Sequence, residues 1–209
     1  MARLRSGILG QLRGKVAGVV GSQWKDKNYI REYVLPANPN TAAQQTQRTK
    51  MSDVVAFCKT LVGPIFNAYT DRFQKSMSGF NRFIKSNIAE FDGTPDYSLI
   101  KLTEGKLSSP TALTSTYNTG TGETIINWAV NYGNNGAATD KCFVAIFDSG
   151  TGLWYFASTE VIRSAATSVL TLPTGLTIGN LESWLVTSKY SNTLVSMIAD
   201  SLWQDIETP

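Results

Sequence analysis

Between residues 111 and 198 the chain alternates short apolar segments with turns, and this rhythm restricts the fold more than any other feature. The segments are 111–117, 124–131, 141–147, 153–158, 168–172, 183–188 and 194–198. Asn118-Thr119-Gly120, Gly133-Asn134-Asn135-Gly136 and Asp148-Ser149-Gly150-Thr151-Gly152 supply turn chemistry between them. Seven short strands at this spacing predict an antiparallel β-sandwich of immunoglobulin or fibronectin type. Alternate positions nominate Trp128, Phe143, Ala145, Leu170, Leu172, Trp184 and Val186 for its core.

Upstream of the turn-rich linker Asp92-Gly93-Thr94-Pro95-Asp96 the period changes. Thr41-Ala42-Ala43-Gln44 has the form of a capping box, and Met51, Val54, Val55, Cys58, Leu61 and Val62 follow at helical spacing. Gly63-Pro64 predicts an end to that helix, with Pro64 as the first residue of the next. Ile65, Phe66, Tyr69, Phe73 and Met77 extend the apolar stripe. After the Ser78-Gly79 break, Phe80, Phe83, Ile84, Ile88 and Phe91 form a third stripe. Such stripes predict packing between helices or against a sheet.

The N-terminal residues have neither rhythm. Gly7, Gly10, Gly14, Gly18 and Gly21 oppose an isolated helix, each costing about 1 kcal/mol relative to alanine. Extended or looped backbone is expected there, with a strand over 27–35 placing Ile30 and Val34 on one side. The first fifty residues hold nine Lys or Arg against two acids, +7, while the remainder holds ten against fourteen, −4. The expected organisation is therefore α+β: a Gly-rich basic arm over 1–40, a short helical layer over 41–91, and a sandwich over 92–209.

Histidine is absent, which removes Ser-His-Asp and Cys-His triads and every His-based zinc site. The stretch Gly10 to Lys15 fails as a phosphate loop. Leu9 stands where the first glycine belongs, and Val16 stands where Ser or Thr must follow the lysine. Cys58 and Cys142 read as buried thiols acting as small hydrophobes, with a disulfide as the alternative. Asp140, Asp148 and Asp200 read as solvated turn residues. No catalytic residue, cofactor or metal site is expected. No apolar run approaches the ~20 residues of a membrane span, and neither that nor the N-terminus suggests Sec export.

The chemistry that remains is adhesion by the arm. Arg13, Lys15, Trp24, Lys25, Tyr29 and Arg31 combine cations with aromatic rings and are the candidate anchoring residues. An acidic protein surface suits them, including the acidic half of a neighbouring copy. Nucleic acid is the second choice of partner, because rings stack on bases while cations pair with phosphates.

Three spaced series complete the reading: Gly10-x-x-x-Gly14-Lys15-x-x-Gly18, Trp24-Lys25-x-x-x-Tyr29-Ile30-Arg31 and Thr41-x-x-Gln44-x-x-x-Arg48. With Pro95-Asp96-Tyr97 and the run Leu102-Thr103-Glu104-Gly105-Lys106-Leu107, they resemble an uncharacterised family of Bacteroidota genomes and of their phages and prophages, crAss-like phages among them. The resemblance transfers no catalytic residues. It implies a Bacteroidota host and a phage-derived gene; with that context, the basic arm and the sandwich lead to the expectation of a non-enzymatic structural protein of a virion, assembled in the bacterial cytoplasm and docked by its arm onto capsid, portal or neck. The expected partners are other virion proteins and copies of the chain itself. A nucleic-acid-binding accessory protein and a bacterial surface or envelope binding module are the alternatives.

Overall fold

The computed structural model describes residues 2–4, 14–24, 27–35, 37–70, 77–191, 194–198 and 201–209; for 2–4, 24, 27, 68–70, 190, 191, 194–198 and 203 it describes the backbone alone. The chain divides into two compact units, Met1–Thr41 and Ala42–Pro209.

The first unit is a four-stranded antiparallel sheet. Strands β1 (Ala2–Leu4), β2 (Gly14–Val16), β3 (Val19–Trp24) and β4 (Lys27–Glu32) lie in the order β1-β4-β3-β2. The glycine-rich sequence thus pairs with itself across regular ladders, where extended or looped backbone ordered against a partner or the body was expected; the strand expected over 27–35 is present as β4, ending at Glu32. The turn between β2 and β3 explains part of this. Ala17 takes φ +52 and Gly18 completes a two-residue connection of the kind that suits the strand twist. The Tyr33 N–H then donates to the Gly18 carbonyl at 2.8 Å, fastening the end of β4 to that turn.

The second unit begins with α1 (Ala42–Lys59), directly after Thr41. A π-helical segment follows over Val62–Thr70, and α2 covers Gly79–Asn87. Pro64 does not open a new α-helix; it sits inside the first turn of the π-segment, where its missing N–H goes unneeded. The Leu61 carbonyl accepts from both Ile65 N (3.0 Å) and Phe66 N (3.1 Å), marking the passage from four-residue to five-residue bonding. Ser78 caps α2 through its hydroxyl, which accepts from Asn81 N. Phe73, assigned to the apolar stripe, lies outside the described residues.

The remaining strands are β5 (Thr111–Tyr117), β6 (Glu123–Ala129), β7 (Lys141–Asp148), β8 (Leu153–Phe156), β9 (Val161–Ile162), β10 (Thr167–Thr171), β11 (Leu181–Ser191), β12 (Leu194–Ile198) and β13 (Leu202–Glu207). Their ladder runs β10-β6-β5-β13-β11-β7-β8, with β12 on β11 and β9 on β7. It folds over at β13. Residues 202–205 of that strand pair antiparallel with β11, and residues 206–207 pair parallel with β5. The sandwich is therefore not purely antiparallel, and β9 and β13 are strands the periodicity did not predict.

Two cores lie on opposite sides of β7 and β11. Cys142, Val144 and Ile146 of β7, with Leu181 and Leu185 of β11, meet Leu113, Tyr117, Ile126 and Trp128 from the β5-β6 layer. Ala145, Phe147, Trp184 and Val186 project the other way and pack with Val54, Phe57, Leu61, Phe66 and Phe83 from the helices. Residues alternate between the two cores along β7, as a strand buried on both faces requires. The result is a mostly β unit, a sandwich-like pair of layers with helices covering one of them.

Of the indoles packed in these cores, Trp128 and Trp184 find acceptors, whereas the buried Trp154 Nε1 has no hydrogen-bond partner among the described residues. Trp128 Nε1 donates to the Arg163 carbonyl (2.9 Å) and Trp184 Nε1 to the Ile100 carbonyl (3.0 Å). Arg163, fully buried, is held by the Ser108 carbonyl (2.7 Å), Asn131 Oδ1 (3.2 Å) and the Asp140 carboxylate (3.5 Å). Asp140 and Asp148 are consequently not solvated. Asp140 accepts from Ala137 N at 2.7 Å, and Asp148 accepts from Gly150 N at 2.9 Å and Thr151 Oγ1 at 2.7 Å. These short-range bonds tie the loops back on themselves. Asp200 lies outside the described residues.

Candidate functional site

The ladder registers of the N-terminal sheet decide where its charges go. Lys15 pairs with Val20 and Val20 with Arg31, so these three share a face. Ser22 pairs with Tyr29 and Tyr29 with Arg3, two residues along the same strands and hence on the same face. Trp24 and Lys27 pair at the next step and take the same side. One face thus gathers positions 3, 15, 24, 27, 29 and 31. The other gathers Ala2, Leu4, Gly14, Val16, Val19, Gly21, Gln23, Asn28, Ile30 and Glu32, and no cation among the strand residues.

The described side chains give this face its character. Lys15 and Arg31 are exposed and Tyr29 is half-buried. Lys15 Nζ stands 3.6 Å from the centroid of the Tyr33 ring, a cation–π contact at the sheet margin. Lys15 and Arg31 are separated by the width of two strand spacings, ~10 Å, close to a Debye length at physiological salt. Two cations so placed attract an anionic partner jointly. A guanidinium also pairs with a carboxylate through two parallel bonds and lies flat on aromatic rings.

Of the six residues singled out by sequence, Lys15, Trp24, Tyr29 and Arg31 come together on this face, Trp24 by register alone. Arg13 and Lys25 lie outside the described residues. Arg3, Lys27 and Tyr33 are additions. Lys27 was legible in the two-residue spacing it shares with Tyr29 and Arg31, whereas Arg3 reaches the face only because β1 pairs with β4.

Elsewhere the chemistry is quiet. Cys58 and Cys142 are free and buried, and burial pushes their thiols up to about 12 and about 11. Among the described residues no group of three or more His, Cys, Asp or Glu is placed to hold a metal ion, and no helix is long and apolar enough to cross a membrane.

A profile of the Family of unknown function (DUF6266) matches residues 11–198. The chain belongs to this family. The DUF6266 match takes in β2, β3 and β4 together with most of the second unit, so Lys15, Trp24, Tyr29 and Arg31 all fall within it. Among solved structures, the chain is similar to a Fn3-like protein from Clostridium thermocellum, at 16% identity and a TM-score of 0.29, over 51% of this chain and 96% of that one. So low a TM-score carries no weight; the sandwich assignment of this DUF6266 member rests on its own strand pairing. A comparison with curated proteins returns no significant match.

Proposed function

We propose that the protein is a non-enzymatic structural component of a bacteriophage particle, docked through its N-terminal sheet onto an acidic surface of capsid, portal or neck proteins or of further copies of itself. The observation that carries this reading is the one-sided sheet. Antiparallel sheets commonly turn one polar face outward, but here the polar face carries the strand positions of Arg3, Lys15, Lys27 and Arg31 and no strand acid, an excess of one sign that suits an acidic partner.

Charge supports it further. The first unit holds seven Lys or Arg against two acids, +5, and the second holds twelve against fourteen, −2. Opposite signs on the two units suit contact between neighbouring copies, and complementary charge raises the rate and selectivity of assembly. The particle itself is supported by the resemblance of the spaced glycine, tryptophan and threonine series to a family found in Bacteroidota and their phages.

The test is removal of residues 1–35 in a producing host, followed by mass spectrometry of purified particles. The truncated protein is expected to fold and to be missing from particles. Normal incorporation sinks the docking role.

One observation favours a second reading. Trp24 and Tyr29 occupy the cationic face, an arrangement that also suits single-stranded nucleic acid. That reading requires binding to an oligonucleotide that weakens steeply between low and high salt. Absence of such binding removes it.

A further inference from the structure

Strand β10 ends the ladder of the second unit and, among the described residues, pairs with β6 alone. The register runs unbroken from Thr167↔Asn127 to Thr171↔Glu123. Just outside it, the Trp128 N–H donates to the Ala166 carbonyl at 3.0 Å and the Leu172 N–H to the Gly122 carbonyl at 2.8 Å. Bonded pairs alternate along an antiparallel ladder, so Ser168 and Leu170 also turn their N–H and C=O groups toward β6. Thr167, Val169 and Thr171 then turn theirs the other way, to the open edge. Their side chains are exposed, and Val169, at 58%, is more exposed than any other large hydrophobic residue described in the second unit.

An edge of this kind is usually protected. Charged side chains, proline, a bulge or a covering loop keep one sheet from pairing with another. Thr167-Ser168-Val169-Leu170-Thr171 holds no charge and no proline, and its regular register leaves no bulge. An unguarded row of donors and acceptors beside an exposed valine is a template for one more strand.

The sequence of β10 says which strand. Set antiparallel to itself about Val169, it brings Val169 opposite the second copy's Val169, Thr167 opposite Thr171, and Ser168 opposite Leu170. Thr–Thr and β-branched apolar pairs are favourable cross-strand neighbours, and no like charges meet. The residues that carry the open backbone groups are the ones that face each other in this register, so each of their N–H groups finds a carbonyl. A contact that uses the same strand on both sides is isologous and closes at two copies.

We propose that β10 is a self-pairing edge, joining two copies of the chain into one continuous sheet about a twofold axis at Val169. The contact uses the second unit alone and is independent of the cationic face of the N-terminal sheet, so either can fail without the other. A single strand pair buries less than the ~1,200 Å² of a standard interface, so the contact is weak and suits copies already held close together.

The test is disulfide trapping on the full chain. In this register the two Val169 Cα atoms stand about 5.5 Å apart, within the span of a disulfide, while the two Thr167 Cα atoms are offset by four residues, roughly 14 Å. Cys58 and Cys142 are buried, so the introduced thiol is the exposed one. Oxidised in air with copper–phenanthroline and read on non-reducing gels, Val169→Cys is expected to form dimers about tenfold faster than Thr167→Cys. Adding Thr171→Pro removes an N–H that faces the open edge and leaves the bonds to β6 in place, so it is expected to slow the Val169→Cys reaction about fivefold. Far-UV circular dichroism checks that each variant folds; should the proline variant not fold, the two cysteine positions alone decide. Equal rates at those positions reduce the cross-link to random collision and overturn the pairing, as does the absence of dimer from Val169→Cys. An unchanged rate with Thr171→Pro in a folded chain overturns backbone pairing as its basis.

Discussion

Replacing Trp184 by phenylalanine tests whether the helices and the sandwich are one cooperative body. Trp184 is 1% exposed and lies in the core that joins β7 and β11 to α1, the π-segment and α2. Its indole stands 5.4 Å from Trp154 and 6.5 Å from Tyr97, and its Nε1 donates to the Ile100 carbonyl. Phenylalanine removes roughly two methylene equivalents of buried ring, at about 0.8 kcal/mol each. It also leaves the carbonyl of Ile100, a residue 1% exposed, without its donor, at a further cost of about 1–3 kcal/mol. The expected loss is therefore about 2.6–4.6 kcal/mol, a large part of a typical 5–15 kcal/mol stability. Hydrogen exchange followed by mass spectrometry reads the outcome element by element. If one core couples the layers, protection in peptides from α1 and from β7 falls together, by about 80- to 2,400-fold. Loss confined to the 97–102 segment, or α1 protection that stays unchanged while β7 falls, refutes the single body.

Three further outcomes follow from the geometry. Ala166 sits in the left-handed region, φ +61, capping the short 3-10 turn Arg163–Ala165, so Ala166→Gly is expected to raise stability by about 1 kcal/mol in thermal unfolding. Asp140→Asn leaves the fully buried Arg163 guanidinium without its counter-charge and is expected to cost about 3–5 kcal/mol in denaturant unfolding, with Asp140→Asn plus Arg163→Met costing less than the single change. Because burial raises the Cys58 thiol to about 12 and the Cys142 thiol to about 11, iodoacetamide at pH 8 is expected to label neither in the folded protein and both once it is unfolded.

The sandwich was legible because its strands alternate strongly: 111–117 and 194–198 coincide with observed strands, and the other predicted segments differ from them by a few residues at their ends. β13 was missed because Gln204, Asp205 and Glu207 interrupt its apolar residues, and its strand state depends on bonds to β11 and β5 distant in sequence. The core candidates were mostly buried, but alternation along one strand says nothing about what each face meets. Trp128 and Leu172 belong to the inter-sheet core, whereas Ala145, Trp184 and Val186 face the helices; Phe143 and Leu170 are only partly buried. In the N-terminal unit the glycines masked the sheet, since low intrinsic preference is overridden once ladders pair. Its basic residues were visible, yet their gathering on one face is a property of register, which the sequence alone does not specify. The open edge of β10 depends on the order of strands in the ladder, and no local motif announces that order.

The central claim, that one face of the N-terminal sheet is the docking surface, is most directly tested by comparing two paired substitutions in particles. Lys15→Ser with Arg31→Ser alters the cationic face, and Val16→Ser with Glu32→Ser alters the opposite face of the same strands. Quantitative mass spectrometry of purified particles is expected to find the first variant depleted and the second present at the wild-type level. Equal incorporation of the two, or depletion of the second alone, contradicts the claim.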